Sequence, residues 1–165
     1  MINYTYMESP VGRLLLAGDE DGLRLVAFAE GKNAPAPESD WRYHTEPLQK
    51  AVGQLEAYFS GNLQNFDLPL RLHGTPFQLA VWRALQDIPY GETISYGELA
   101  LRIGNPKGSR AVGLANGSNP IAIVVPCHRV IGSNGKLTGY GGGLCNKETL
   151  LALERKHVAA QAVLY

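Results

Sequence analysis

The stretch Ile121-Ala122-Ile123-Val124-Val125-Pro126-Cys127-His128-Arg129-Val130 sets the terms for the rest of the chain. Its apolar, largely β-branched first half reads as a buried strand. Pro126 cannot donate to a ladder, so the strand is expected to end there. Cys127 and His128 then stand at its mouth. A cysteine attacks as its thiolate, and a nearby imidazole or positive field favours that form. Neighbours on an extended chain point to opposite faces, so this pair needs a turn or a bridging water to communicate. The competing reading is a structural cysteine capping a core strand.

Working outward, the chain has 165 residues, 45% hydrophobic and 18% charged, which suits a packed core and excludes a disordered chain. That length fits one domain, or one small and one medium subdomain. Two cysteines, Cys127 and Cys145, give no disulfide framework and point to a reducing compartment. No apolar run reaches the length of a membrane span, and the N-terminus lacks the basic start and apolar block of a signal peptide. The expected location is cytoplasmic. Net charge is zero but unevenly spread: residues 1–75 hold ten acids and six bases, residues 76–165 five acids and nine bases. Between Thr93 and Lys147 the one acid is Glu98, against Arg102, Lys107, Arg110, Arg129, Lys136 and Lys147. A basic face suits a polyanion, although so small an asymmetry also fits a solvated surface.

The first half predicts a small α/β platform without evident chemistry. Ile2, Tyr4 and Tyr6 share one face of a first strand, Leu14–Ala17 forms a second and Leu23–Phe28 a third, with turns at Ser9–Gly12 and Asp19–Gly22. Leu48, Val52, Leu55, Tyr58 and Phe59 recur at helical spacing before Gly61. Phe66–Leu72 is expected to return as one more strand.

From Gly74 the character changes. Thr75-Pro76 predicts a helix start, with Phe77, Val81, Trp82 and Leu85 as its apolar stripe. Ser95-Tyr96-Gly97-Glu98 reads as a capping box opening a second helix that ends at Gly104. A third helix is expected from Ser109 to Asn116. Two short helices around the turn Asn105–Gly108 read as a helix-turn-helix. Ala111, Val112, Gly113, Leu114 and Ala115 offer almost no donors to base edges in a major groove. A smooth helix with Arg110 as its long cation suits close approach to a narrow groove and insertion between bases. An ordinary buried helix carrying a surface arginine has the same pattern. Asn119-Pro120 links this helix to the cysteine stretch, and a glycine-rich loop around Tyr140 can let backbone approach a flat ligand closely. Asn146 is expected to cap a last helix carrying Glu154, a candidate to orient His128 in a Cys–His–carboxylate relay. On these residues alone three other readings stay open: a cysteine hydrolase, a non-catalytic DNA-binding module, and a zinc site from Cys127, His128 and Cys145. Adjacent Cys-His ligands suit one zinc ion poorly.

Taken in order, Pro-Tyr-Gly-Glu-Thr-Ile-Ser-Tyr-Gly (89–97), Ser-Arg-Ala-Val-Gly (109–113), Asn-Gly-Ser-Asn-Pro-Ile (116–121), Val-Pro-Cys-His-Arg-Val-Ile-Gly (125–132), Gly-Tyr-Gly-Gly-Gly (139–143) and Lys-Glu-Thr-Leu-Leu (147–151) resemble the O6-alkylguanine-DNA alkyltransferases. The likeness covers about Gly74 to Glu154 closely. It is looser before that, through Ser-Pro-Val-Gly and Tyr-Phe-Ser-Gly.

The resemblance implies an α/β (α+β) fold: a ribonuclease-H-like N-terminal subdomain over residues 1–73, then a mainly helical domain over 74–165 with the helix-turn-helix and the active cysteine. It implies direct repair, in which an alkylated guanine in double-stranded DNA is bound from the minor groove and flipped out, and its alkyl group passes once and irreversibly to Cys127. Through it, His128 takes the thiol proton by way of a water, Glu154 orients His128, Asn119 holds the turn, and Tyr96 rotates the nucleotide and donates to N3. Arg110 fills the gap in the stack, with Lys107, Ser109, Ala111 and Gly113 also at the DNA. The base pocket is expected from Val130, Tyr140, Gly141 and Asn116. Gly141 replaces a serine of some relatives, and Asn116 stands where some place an apolar side chain. No cofactor or external alkyl donor is required, and no structural zinc is expected. The partner is DNA, not a membrane, and the protein is expected to act as a monomer, with cooperative binding along DNA left open. Cys145 is read as a spectator.

Overall fold

In the computed structural model the chain is described over residues 1–31, 34–137, 140 and 143–164, with side chains described as far as residue 160. It divides into two units, Met1–Leu72 and His73–Tyr165.

The N-terminal unit is built on strands β1 (Asn3–Met7), β2 (Leu14–Asp19), β3 (Gly22–Phe28) and the two-residue β4 (Arg42–Tyr43). Their order is β3-β2-β1-β4. β1 and β3 run antiparallel to β2, while β4 runs parallel to β1. β2 carries the core: Leu14, Leu15 and Leu16 are fully buried although their side chains alternate between faces. Helix α1 (Gln49–Phe59) contributes the fully buried Leu55 and Tyr58. The Tyr58 ring packs 5.5 Å from that of Phe66. Phe66–Leu72 does not form the expected strand. Leu70 makes an isolated bridge with Leu23, and Pro69, which has no N–H to give, uses only its carbonyl, accepting from Leu23 N–H at 2.8 Å.

The C-terminal unit is helical. α2 (Pro76–Leu85) starts at Thr75 with a complete capping box shared with Gln78, and buries Val81, Trp82 and Leu85. Strand β5 (Ile94–Ser95) leads into α3 (Tyr96–Arg102), and Gly104 at φ +77° lets the chain turn towards α4 (Ser109–Gly117). Ser95 caps α3 by accepting from Glu98 N–H, but the Glu98 carboxylate pairs with Arg102 at 3.2 Å, so the box is half made. Trp82 Nε1 donates to the Ala115 carbonyl at 2.8 Å and fixes α2 against the end of α4. β6 (Val130–Ile131) pairs in parallel with β5, so the first residue of α3, Tyr96, starts beside the residues that follow the Cys-His-Arg run. α5 (Leu144–Leu164) closes the unit. It begins before Asn146, which is therefore inside the helix and not its cap. Among the described residues no helix is long and apolar enough to cross a membrane.

Candidate active site

Residues 121–125 are buried as expected but are not a strand. The chain folds into two successive tight turns. Val124 N–H donates to the Ala122 carbonyl at 2.8 Å around Ile123, whose φ of 73° places a β-branched residue in the left-handed region. This is a γ-turn, a rare and strained geometry costing about 1–3 kcal/mol. Cys127 N–H then donates to the Val125 carbonyl at 2.8 Å around Pro126 at φ −83°, ψ 66°, an inverse γ-turn. Cys127–Arg129 continue as one turn of 3-10 helix. The opposite-faces rule for strands therefore does not apply to Cys127 and His128.

Side chains hold this path in place of a ladder. Asn119 donates from Nδ2 to the Val125 carbonyl at 2.7 Å and accepts from Ile121 N–H at 3.0 Å, clamping both ends of the first turn. Asn116, 2% exposed on the inner face of α4, donates from Nδ2 to the Cys127 carbonyl at 3.2 Å. Lys147, fully buried on α5, donates from Nζ to the Val130 carbonyl at 2.6 Å. Its ammonium lies 5.9 Å from the centre of the Tyr96 ring and 6.0 Å from that of Tyr140.

The pair His128 and Glu154 is equally enclosed. His128 Nε2 and Glu154 Oε2 are 2.6 Å apart with both side chains fully buried. Arg129 grips the same carboxylate twice, Nε to Oε1 at 2.9 Å and Nη2 to Oε2 at 3.1 Å, and donates from Nη1 to the Ile88 carbonyl at 2.7 Å. Gly91 N–H adds a bond to Glu154 Oε1 at 3.0 Å. Gly91 sits at φ +80°, and a Cβ there would lie 2.5 Å from Val158 Cγ2.

These surroundings set the protonation states. Burial pushes the Cys127 thiol up, and hydrogen bonds from Asn119 and Tyr140 with the charge of Lys147 only partly offset it, so the resting residue is a thiol. Burial pushes His128 down. Its bond to Glu154 opposes this, and the charges of Arg129 and Lys147 reinforce it, so the imidazole rests neutral. Burial alone would raise Glu154, but the donors on His128 and Arg129 hold its carboxyl far below the usual carboxylate range. Burial likewise lowers Lys147, while the negative charge that Cys127 can carry raises it. An ionised carboxylate only accepts, so Nε2 of the neutral His128 carries the proton and Nδ1 keeps a lone pair. Nδ1 is buried with no hydrogen-bond partner among the described residues.

The fold thus gathers Cys127, His128, Glu154, Asn119, Asn116, Val130 and Tyr140, with Tyr96 joined through Lys147 and the β5–β6 pair. Gly113 faces Tyr96, since a Cβ on it would lie 3.7 Å from Tyr96 Cδ1. Ser109, Arg110, Ala111 and Lys107 are exposed on the helix-turn-helix, beside Leu114 at 75% exposure. Gly141 lies outside the described residues. Two residues that the sequence suggests only as surface cations, Arg129 and Lys147, are structural parts of the site. The basic face correspondingly shrinks to Arg102, Lys107, Arg110 and Lys136. The sole hint in the sequence was their place inside the motifs. Among the described residues no group of three or more His, Cys, Asp or Glu side chains could hold a metal ion.

The profile of the 6-O-methylguanine DNA methyltransferase DNA-binding domain matches residues 76–156, and that of the family's ribonuclease-like domain matches residues 2–72. The chain belongs to the 6-O-methylguanine DNA methyltransferase family. It is 60% identical over 151 residues to the methylated-DNA–protein-cysteine methyltransferase of Methanosarcina acetivorans, covering 92% of this chain and 97% of that one. The Mycolicibacterium paratuberculosis protein of the same name is 56% identical over 165 residues, 100% of this chain and 99% of its own. The crystal structure of Mycobacterium tuberculosis O6-methylguanine methyltransferase superposes with a TM-score of 0.89 at 52% identity, covering 95% of this chain and 94% of that one. A DNA complex of the same organism's OGT gives 0.88 at 52%, covering 94% of each chain. Membership carries the activity: DNA repair by transfer of an alkyl group from DNA to a protein cysteine.

Proposed function

We propose that Cys127 is the alkyl acceptor, and that the donor is O6-alkylguanine flipped out of double-stranded DNA. The observation that carries this reading is the buried 2.6 Å bond between His128 Nε2 and Glu154, which leaves a neutral Nδ1 lone pair on the residue next to the thiol. Burial holds Cys127 as the poorly nucleophilic thiol, so a base must act during the reaction. His128 Nδ1 takes the proton through a water, and Glu154 with Arg129 holds the imidazole while it is charged. Sulfur attacks the alkyl carbon in line, the S–C bond forms, and the C–O6 bond breaks. The released electron pair returns to the purine ring, and a proton restores guanine. Tyr96 donates to N3 as that charge develops. The product is a thioether that water does not cleave, so each molecule acts once.

The helix-turn-helix supplies the approach to DNA. Ala111, Gly113 and Leu114 form a smooth surface that fits a minor groove, Lys107 and Ser109 lie towards the phosphates, and Arg110 enters the stack as the base leaves. The protein acts as a monomer on DNA. Cys127 and Cys145 are both free thiols, which suits a reducing cytoplasm.

Intact-mass analysis after mixing with duplex DNA containing O6-methylguanine tests the assignment. One added methyl, mapped to Cys127 and absent from Cys127→Ser, is expected. A methyl on Cys145, or retained DNA binding with no gain in mass, would overturn it.

A further inference from the structure

The chain between α2 and β5 meets the buried ion pair of Arg129 and Glu154 three times within four residues. The Ile88 carbonyl accepts from Arg129 Nη1 at 2.7 Å, and Gly91 N–H donates to Glu154 Oε1 at 3.0 Å. Between them lies Tyr90, its ring centre 5.6 Å from the Arg129 guanidinium carbon, within cation–π range. Glu92 N–H closes the turn on the Pro89 carbonyl at 3.1 Å, with Gly91 at φ +80° in the third position, where a type II turn needs glycine. The two central residues of the turn thus serve the two opposite charges: an aromatic face for the cation and an amide for the anion.

The contact matters because of what a guanidinium cannot do. Its N–H groups point outward in its plane, and Arg129 commits all three nitrogens to Glu154 and the Ile88 carbonyl. Its flat faces donate nothing, and the residue is only 6% exposed. An aromatic ring is the neighbour that stabilises such a face. The Tyr90 hydroxyl adds less. It lies 3.5 Å from His157 Nδ1, a nitrogen that already donates to the Leu153 carbonyl at 2.9 Å. Burial and the charge of Glu154 push this hydroxyl up against the opposing charge of Arg129, so the ring stays neutral.

We infer that Tyr90 is a positioning residue for the proton relay: its ring fixes the Arg129 guanidinium, which fixes Glu154, which holds His128. This rests on the proposal that His128 is the base for Cys127. The charged groups that act on His128 are Glu154 and Lys147 from α5 and Arg129 from its own turn, with Cys127 as its chain neighbour. Those around Tyr90 are Arg129, Glu154 and His157. Without the ring the guanidinium loosens from Glu154. The carboxylate, which favours the imidazolium, then acts with less opposition, and His128 takes its proton at a higher pH.

The test is single-turnover methyl transfer from duplex O6-methylguanine as a function of pH, with the NMR shifts of the His128 ring nitrogens followed in the free protein. Tyr90→Leu, or Tyr90→Met if leucine prevents folding, should slow transfer at neutral pH roughly tenfold, the scale of a desolvated cation–π contact. The acid limb of the profile and the His128 titration should both move to higher pH. Tyr90→Phe keeps the aromatic face and should rescue both. A side chain that merely fills space would slow transfer by one factor at every pH and leave the His128 titration in place. That result, or Tyr90→Phe behaving like Tyr90→Leu, would overturn the inference. Failure of the underlying reading looks different: Cys127 of the wild-type protein would then gain no methyl at any pH, while the NMR titration would still report on Tyr90.

Discussion

Strand β2 of the N-terminal unit and residues 121–130 are both buried, yet they are held by opposite means. β2 is a run of leucines paired on both sides by ladders, that with β3 shifting register once at Ala17/Gly18, and its stability is apolar burial. The segment around Cys127 has almost no ladder. Its backbone bends through a strained Ile123, and its carbonyls are taken by Asn116, Asn119 and Lys147. The first region needs only shape. The second needs specific donors from three other places in the chain, and that is what allows a reactive group to sit at a bend instead of in a pleat. Strain and polar clamps concentrate around the proposed alkyl acceptor.

The largest effect that separates the two regions is expected from charge. Arg129→Ala leaves Glu154 buried without its bidentate partner, a loss of about 3–5 kcal/mol of stability, together with the support of His128. Leu15→Ala in β2 is expected to cost a comparable 2–5 kcal/mol through a cavity. Denaturant unfolding measures both, and transfer to Cys127 in the folded fraction separates them. Arg129→Ala should lose most of it, whereas Leu15→Ala should keep it. Equal residual activities would mean that the polar centre is scaffold only.

Acid should break the second region before the first. His128 rests below its ordinary value of 6.5, so the unfolded chain binds a proton there before the folded one does. Glu154 rests below its ordinary 4.5 for the opposite reason, its charged form being the stabilised one. In both cases the unfolded state holds more protons as pH falls, so stability falls with it. The loss begins near pH 6.5 through His128 and deepens below about 4.5 through Glu154. Melting temperature against pH should show both phases. Glu154→Gln should flatten the lower one and slow transfer at neutral pH by roughly a hundredfold, because His128 loses the group that orients it. A profile without a phase near 6.5 would show that His128 is not held neutral.

The same contrast decides what was legible in the sequence. Alternation exposed β1, where Thr5 and Met7 turn inward and Tyr4 and Tyr6 do not, and Thr75-Pro76 exposed the start of α2. The two-residue β4 was invisible because so short a strand has no period. Residues 121–125 misled for a physical reason. β-branched residues fit a pleat, but Pro120 and Pro126 bracket too short a run for a ladder, and Asn119 supplies hydrogen bonds that a strand partner would otherwise provide. Arg129 and Lys147 read as surface charges because cations are rarely buried unless paired. The carboxylate that makes Arg129 affordable lies 25 positions away, and proximity in space leaves no periodic mark.

The smallest change in stability should come from Arg110, and it probes the region that neither ladder nor clamp explains. Arg110 is exposed on α4, where Val112, Ala115 and Asn116 face inward and Ala111 and Leu114 face out. With no buried partner to strand, Arg110→Ala should leave the melting temperature unchanged. Its effect should depend on the DNA instead. Under the proposed flipping, the departing base leaves a gap in a duplex whose neighbours must be held apart, and a side chain entering that gap lowers the cost of the open state. A single strand has no opposing base and no gap to fill. Transfer from duplex O6-methylguanine should therefore slow markedly in Arg110→Ala, while transfer from a single strand changes little. Equal slowing on both substrates would reduce Arg110 to a phosphate contact, and the insertion role would have to be sought in Leu114, the other long side chain on that exposed face.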